Sequence, residues 1–178
     1  MNDVYTSNKL SVVVDNNVLV DLFELNCLPL LFQVFDHITI PKIIYDDEIT
    51  HEIKTILIDY PYILGIISTE QGLNTYGLLV NDPDFKRLSM HDRVAISIAK
   101  ENLFLCNSND RLVRKACEKH QVKITGVLGV LGRAYYKKHI TCDELLAFID
   151  ELSSIRTSCY IDTKVIEQFK KEIFDVQP

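Results

Sequence analysis

Three consecutive valines, Val12 to Val14, run directly into Asp15, Asn16 and Asn17 in the segment KLSVVVDNNVLVDLFELN. A β-branched triplet favours a strand buried on both faces, as in a parallel sheet, where an ionised carboxylate has no place. Asp15 is therefore expected at the strand's end, where an apolar helical pattern begins at once. The alternation recurs along the chain. Short β-branched runs occupy residues 11–14, 37–40, 63–68, 102–106 and 122–125, and helical patterns cover 18–24, 41–57, 91–101, 111–119 and 126–138. Pro41 suits a first helical position, where a missing N–H is harmless. Strands separated by helices imply an α/β fold with right-handed parallel crossovers, a three-layer αβα sandwich on a sheet of four or five strands. All strand C-termini then lie along one rim.

At 178 residues with 47% hydrophobic content, the chain supports one core and is not mainly disordered. We read 1–178 as a single domain, with 139–178 as a C-terminal helical extension packed on it. That extension carries two capped amphipathic stretches, TCDELLAFIDELSS and DTKVIEQFKKEIF. Their apolar stripes fit the flank of the sheet or a partner surface. No run approaches the length that spans a bilayer, and MNDVYTSNKL lacks a signal-type pattern, so a cytoplasmic protein with no membrane contact is expected. Five scattered cysteines without a C-x-x-C pair indicate reduced thiols rather than zinc or disulfides. A net charge of −6 excludes a simple module that grips nucleic acid through overall positive charge. It leaves room for a nuclease with an acidic, cation-holding centre.

Such a centre has candidates on the rim. Asp15 ends the first strand, and Asp92 in LSMHDRVAISIAK opens a core-facing helical stripe. Asp110 in LFLCNSNDRLVRKAC follows the fourth strand, and Asp46, Asp47 and Glu48 in IPKIIYDDEITHEI are expected on the first turns of the second helix. Each also has a purely structural reading: Ser89-x-x-Asp92 fits a capping box, Asp110 a helix cap, and Asp46 to Glu48 a complement to the helix dipole. Four carboxylates converging on one edge would raise one another's pKa unless a cation neutralised them, and hard oxygen ligands suit Mg²⁺ or Mn²⁺.

In order and spacing these segments resemble the PIN-domain ribonucleases, in particular the stand-alone prokaryotic type found as toxins of VapC-like toxin–antitoxin pairs. VVVDNNVLVDL resembles the family's opening strand, with its metal-binding Asp followed two residues later by Ser or Asn, here Asn17. DRVAISIA resembles the segment of the third acid, LFLCNSNDRLVRKA the Thr/Ser-x-Asp segment with Ser108 and Asp110, and VKITGVLGVL the last strand and following helix. For the second acid, Asp47 matches the spacing from Tyr45 and Glu48 matches the residue type.

The resemblance implies a metal-dependent endoribonuclease in which Asp15, Asp92, Asp110 and Glu48 or Asp47 hold Mg²⁺ or Mn²⁺. Asn17 and Ser108 would orient water or phosphate, and products would carry a 5′-phosphate and a 3′-hydroxyl. It also implies a cognate antitoxin protein and a homodimer, for which the stripes at 144–152 and 18–24 are available. Arg111, Arg114, Lys115 and Lys119, with Arg133, Lys137 and Lys138, are candidate phosphate contacts, a solvated helix face being the alternative. His91 is expected to be an exposed helix-start residue. Substrate selection is assigned to loops such as NTYGLLVNDPDFKRL. Two other classes fit the pattern less well. A phosphorelay receiver needs a Lys after the fifth strand, where TGVLG stands. A catalytically inactive PIN-like RNA-binding or regulatory module would not need every acid position filled.

Overall fold

In the computed structural model, which describes residues 10–154 and 161–174, the three valines are wholly buried in β1 (Ser11–Val14). This strand is the centre of a five-stranded, all-parallel sheet with β2 (His37–Pro41), β3 (Ile63–Gly65), β4 (Leu105–Asn107) and β5 (Ile124–Thr125), in the order β3-β2-β1-β4-β5. Register is set centrally by Val13 opposite Cys106 and Val14 opposite Asn107. From β1 the chain builds outward through β2 to β3, then returns to place β4 on the other side of β1. The strand order thus reverses between β1 and β4, and the C-terminal ends of those two strands flank the crevice where ligands of open α/β sheets bind.

Ten α-helices are described: α1 (Asn16–Glu24), α2 (Pro29–Val34), α3 (Lys42–Asp47), α4 (His51–Leu57), α5 (Glu70–Asn81), α6 (Met90–Asn102), α7 (Arg111–Lys119), α8 (Val127–Tyr136), α9 (Cys142–Leu152) and α10 (Thr163–Phe174). α5, α6 and α7 pack in sequence as one layer, and α1, α2, α8 and α9 associate as the other, giving the αβα sandwich expected from the alternation. Leu145, Ile149 and Leu152 of α9, with Ile166, Phe169 and Ile173 of α10, belong to the same buried core as the sheet. The stripe at 144–152 is therefore consumed within the chain rather than left open for a second copy.

Several boundaries differ from the pattern-based ones. The helix expected over 41–57 is two helices, because Pro41 ends β2 and Thr50 opens a new helix by accepting from the Ile53 N–H at 3.5 Å. Helix α2 and helix α5 were not expected; α5 replaces much of the loop assigned to substrate selection, followed by a 3₁₀ turn at Pro83–Phe85. α6 runs through Asn102 and stops at left-handed Leu103 (φ 56°), which delays β4 to Leu105. Cys27, Cys106 and Cys117 are buried free thiols, burial pushing Cys27 up to about 12; Cys142 is also free, and Cys159 lies outside the described residues. Among the described residues no helix is long and apolar enough to cross a membrane.

Candidate active site

Asp15 occupies the β1 end of the crevice as the N-cap of α1, only 5% exposed. Its Oδ1 accepts from the Asn16 N–H at 2.8 Å. Its Oδ2 accepts from Asn17 Nδ2 at 2.6 Å and from the Ser108 hydroxyl at 2.8 Å. Asn17 Nδ2 also reaches Ser108 Oγ at 3.1 Å, so the two candidate orienting residues and Asp15 form one triangle across the β1–β4 crevice. Burial raises the Asp15 carboxyl from its ordinary 3.8 to about 6; the bond from Ser108 opposes the rise, and the charges of Asp92 and Glu48 add to it. Those two acids, on α6 and at the end of α3, are thereby in electrostatic range of Asp15.

Asp92 is the third residue of α6 and makes the expected capping box, its Oδ2 accepting from the Ser89 N–H and hydroxyl, each at 2.8 Å. Asp110 is the N-cap of α7, its Oδ1 accepting from the N–H groups of Leu112 (2.6 Å) and Val113 (2.9 Å). Its backbone N–H donates to Ser108 Oγ at 3.2 Å, which ties the Asp110 turn to the Asp15 triangle. In both acids one oxygen makes the cap, and the other has no protein hydrogen bond among the described residues.

Glu48 corrects the expected placement. It is the C-cap of α3, and Asp46 and Asp47 are that helix's last residues, so none stands on a helix's first turns. Carboxylates at a helix C-terminus oppose the dipole, so the dipole reading fails for all three. Asp46 pairs with Lys42 at 2.6 Å on the surface. Asp47 and Glu48 share His91, whose Nε2 lies 3.0 Å from Asp47 Oδ2 and whose Nδ1 lies 3.1 Å from Glu48 Oε1. A neutral imidazole has one N–H, so His91 donates to both only as the imidazolium. His91 is thus half-buried between two acids rather than a free surface residue. Of the two candidates for the second acid, Glu48 is the one whose charge reaches Asp15.

Sequence reasoning missed a second polar layer behind this one. Asp21, 3% exposed on α1, accepts a hydrogen bond from Asn109 Nδ2. Asn109 Oδ1 accepts from the Val127 N–H at 3.0 Å, capping α8, and the Asn109 N–H donates to Asn17 Oδ1 at 3.1 Å. Gly126, the N-cap of α8, makes room for this, since a Cβ there would collide with Asn109 Oδ1. The available signal was Asp21 four residues after Asn17, on the same helical face. Asn107 is wholly buried with both side-chain polar atoms unpartnered.

The basic candidates separate sharply. Arg111, Arg114 and Lys115 are exposed on α7 just beyond Asp110. Lys119 is tied to Asp82 (2.7 Å) and Asp84 (3.1 Å). Arg133, expected as a phosphate contact, is instead wholly buried, its Nε donating to the Val34 carbonyl at 2.5 Å, and Lys137 lies 3.5 Å from the same carbonyl. Arg133 falls on the inner side of an otherwise apolar helix, where its position among Leu and Val was a readable warning.

The donor set fits a hard divalent cation in chemistry: carboxylate oxygens around a buried acid whose charge no lysine or arginine offsets among the described residues. It is not a ready-made cage, for among those residues no three Asp, Glu, His or Cys side chains converge into one. The expected convergence of four carboxylates is therefore looser than the rim argument required.

Comparison with known proteins agrees with this geometry: a family model described as a PIN domain matches residues 11–174. The chain belongs to the PIN-domain family, whose members are usually nucleases, and its all-parallel αβα fold is consistent with that family, which supports a nuclease-like hydrolase. A search of curated proteins found no match.

Proposed function

We propose that this protein is an endoribonuclease that uses Mg²⁺ or Mn²⁺, with Asp15, Glu48, Asp92 and Asp110 as its acidic centre. The observation that carries the reading is Asp15: a carboxyl at the strand-order reversal, pushed up to about 6 by burial with two further acids in range and no basic partner among the described residues. Such a group is costly unless a cation or a catalytic role accounts for it. A divalent cation held there supplies Lewis acidity, acidifying the attacking water and offsetting charge on the phosphoryl oxygens. Asn17 and Ser108 fix the direction of the Asp15 carboxylate, and His91 contacts Glu48. Asp92 and Asp110 each keep one oxygen free for the centre. In this reading Arg111 and Arg114, exposed beside Asp110, contact the RNA backbone, and the products carry a 5′-phosphate and a 3′-hydroxyl.

Resemblance to the stand-alone toxin type supports a cognate antitoxin and a homodimer, with 1–178 acting as one cytoplasmic unit. A neighbouring reading frame encoding a short DNA-binding domain with an amphipathic tail would support the toxin role, and co-purification would test it.

The enzymatic test compares wild type with Asp110→Asn on mixed-sequence single-stranded RNA in Mn²⁺, Mg²⁺ and EDTA. Asparagine caps a helix as well as aspartate does, so the variant is expected to melt normally yet lose cleavage. Cleavage that survives EDTA, or a variant that cuts at the wild-type rate, would overturn the assignment.

A further inference from the structure

The polar layer behind the acids has a direction. Asn109 Oδ1 must face the Val127 N–H, which leaves its Nδ2 to face Asp21. Asn17 Oδ1 must likewise face the Asn109 N–H, which leaves its Nδ2 to donate to Asp15 Oδ2 and Ser108 Oγ. Each amide is thus locked by a backbone donor that cannot reverse, and the sequence of bonds runs from Asp21 through Asn109 and Asn17 to Asp15. Asp21 is as deeply buried as Asp15 itself.

We propose that Asp21 is a positioning residue, which through Asn109 fixes the Asn17 amide and with it the Asp15 carboxylate. The inference rests on the reading of Asp15 as part of the catalytic centre. Without Asp21, the Asn109 Nδ2 loses that acceptor, and the turn that carries the Asn109 N–H loses one of its ties to α1, those through Asn17 remaining. A turn held less firmly lets the Asn109 N–H shift relative to Asn17 Oδ1, which loosens the Asn17 amide and with it the direction of the Asp15 carboxylate. Small misalignments of this kind lower turnover more than they weaken binding.

The pair also permits an exchange that a merely structural role does not foresee. Asp21→Asn combined with Asn109→Asp reverses the bond. Asn at 21 donates to a carboxylate at 109, whose other oxygen still accepts from Val127, and net charge is unchanged.

The experiment measures kcat and KM for single-stranded RNA in Mn²⁺, together with hydrogen exchange of the Asn17 side-chain amide by NMR. It uses wild type, Asp21→Ala, Asn17→Ala, their double variant and the exchanged pair, with thermal melting of each to confirm folding. Asp21→Ala is expected to lower kcat about 10- to 100-fold with KM little changed, and to speed exchange of the Asn17 amide. The exchanged pair should restore both readouts, and Asp21→Ala should add no loss in the Asn17→Ala background. Unaltered kcat and Asn17 exchange in Asp21→Ala, an exchanged pair no better than Asp21→Ala, or a loss that persists without Asn17 would each overturn the proposal. If wild type does not cleave RNA, the proposed activity fails alone: faster Asn17 exchange in Asp21→Ala still supports the positioning bond, and unchanged exchange refutes it.

Discussion

Replacing Asp15 with asparagine is expected to stabilise the metal-free protein at neutral pH while abolishing cleavage. Burial first, with repulsion from Asp92 and Glu48, raises this carboxyl from 3.8 to about 6. The folded state therefore binds the proton more tightly than the unfolded chain does. Its contribution to stability is fully present below pH 3.8 and is lost as pH rises through about 6, so at pH 7 the buried carboxylate costs on the order of 3 kcal/mol. Asparagine removes that cost but sets an amide N–H against the donors Asn17 and Ser108, an opposing loss of about 1–2 kcal/mol. The net expected gain is roughly 1–2 kcal/mol at neutral pH, vanishing or reversing near pH 4. Urea unfolding in EDTA at both pH values reads this directly. Added Mn²⁺ should raise wild-type stability by mass action and leave the variant unmoved. An asparagine variant less stable than wild type by the same amount at both pH values would refute the reasoning, because the cost would then not be one of charge.

Three further outcomes are expected. Glu48→Gln should abolish metal-dependent cleavage while Asp47→Asn stays within about tenfold of wild type, as measured by initial rates on single-stranded RNA; the reverse ranking would make Asp47 the second acid. Arg111→Ala and Arg114→Ala should each weaken RNA binding and reduce the salt slope by about 0.7, read by fluorescence anisotropy across a salt series, and an unchanged slope would return them to the solvated surface. Leu145→Ala, at a wholly buried position in α9, should cost about 2–5 kcal/mol in a single unfolding transition, and a separate early transition would show that the C-terminal helices fold apart from the sheet.

Local sequence carried the parts of this architecture that depend on local physics. Val12 to Val14 announced a central strand, and Ser89-x-x-Asp92 and Asp110 announced helix starts, because β-branching and capping act within a few residues. The strand order was not readable, since pairing of β1 with β4 joins residues some ninety positions apart and rests on no local signal. The contact of His91 with Asp47 and Glu48 is hidden for the same reason, as is the capping of α5 by Glu101, which accepts from the Thr69 N–H at 3.0 Å. Helix α2 escaped notice because six residues hold too little periodicity to distinguish a helix from a strand. The break between α3 and α4 was legible in Thr50, an N-cap residue within the pattern, but isoleucines recurring at 43, 44, 49, 53 and 56 read as one helical pattern across it.

The opposition between cap and catalytic acid, which the sequence poses for each residue separately, does not survive the geometry. A carboxylate has two oxygens, and in both Asp92 and Asp110 one makes the cap while the other has no protein hydrogen bond among the described residues. The cap fixes the side chain's direction, so the helix start that the acid stabilises is also what aims its second oxygen. Alanine at either position removes both properties and cannot tell them apart. Asparagine keeps the capping oxygen and removes the charge, so it alone separates the two. Glu48 meets the argument from the other side: a helix C-terminus gives it no dipole-based reason to be acidic, so its contact with His91 and its charge in range of Asp15 are what its acidity answers to.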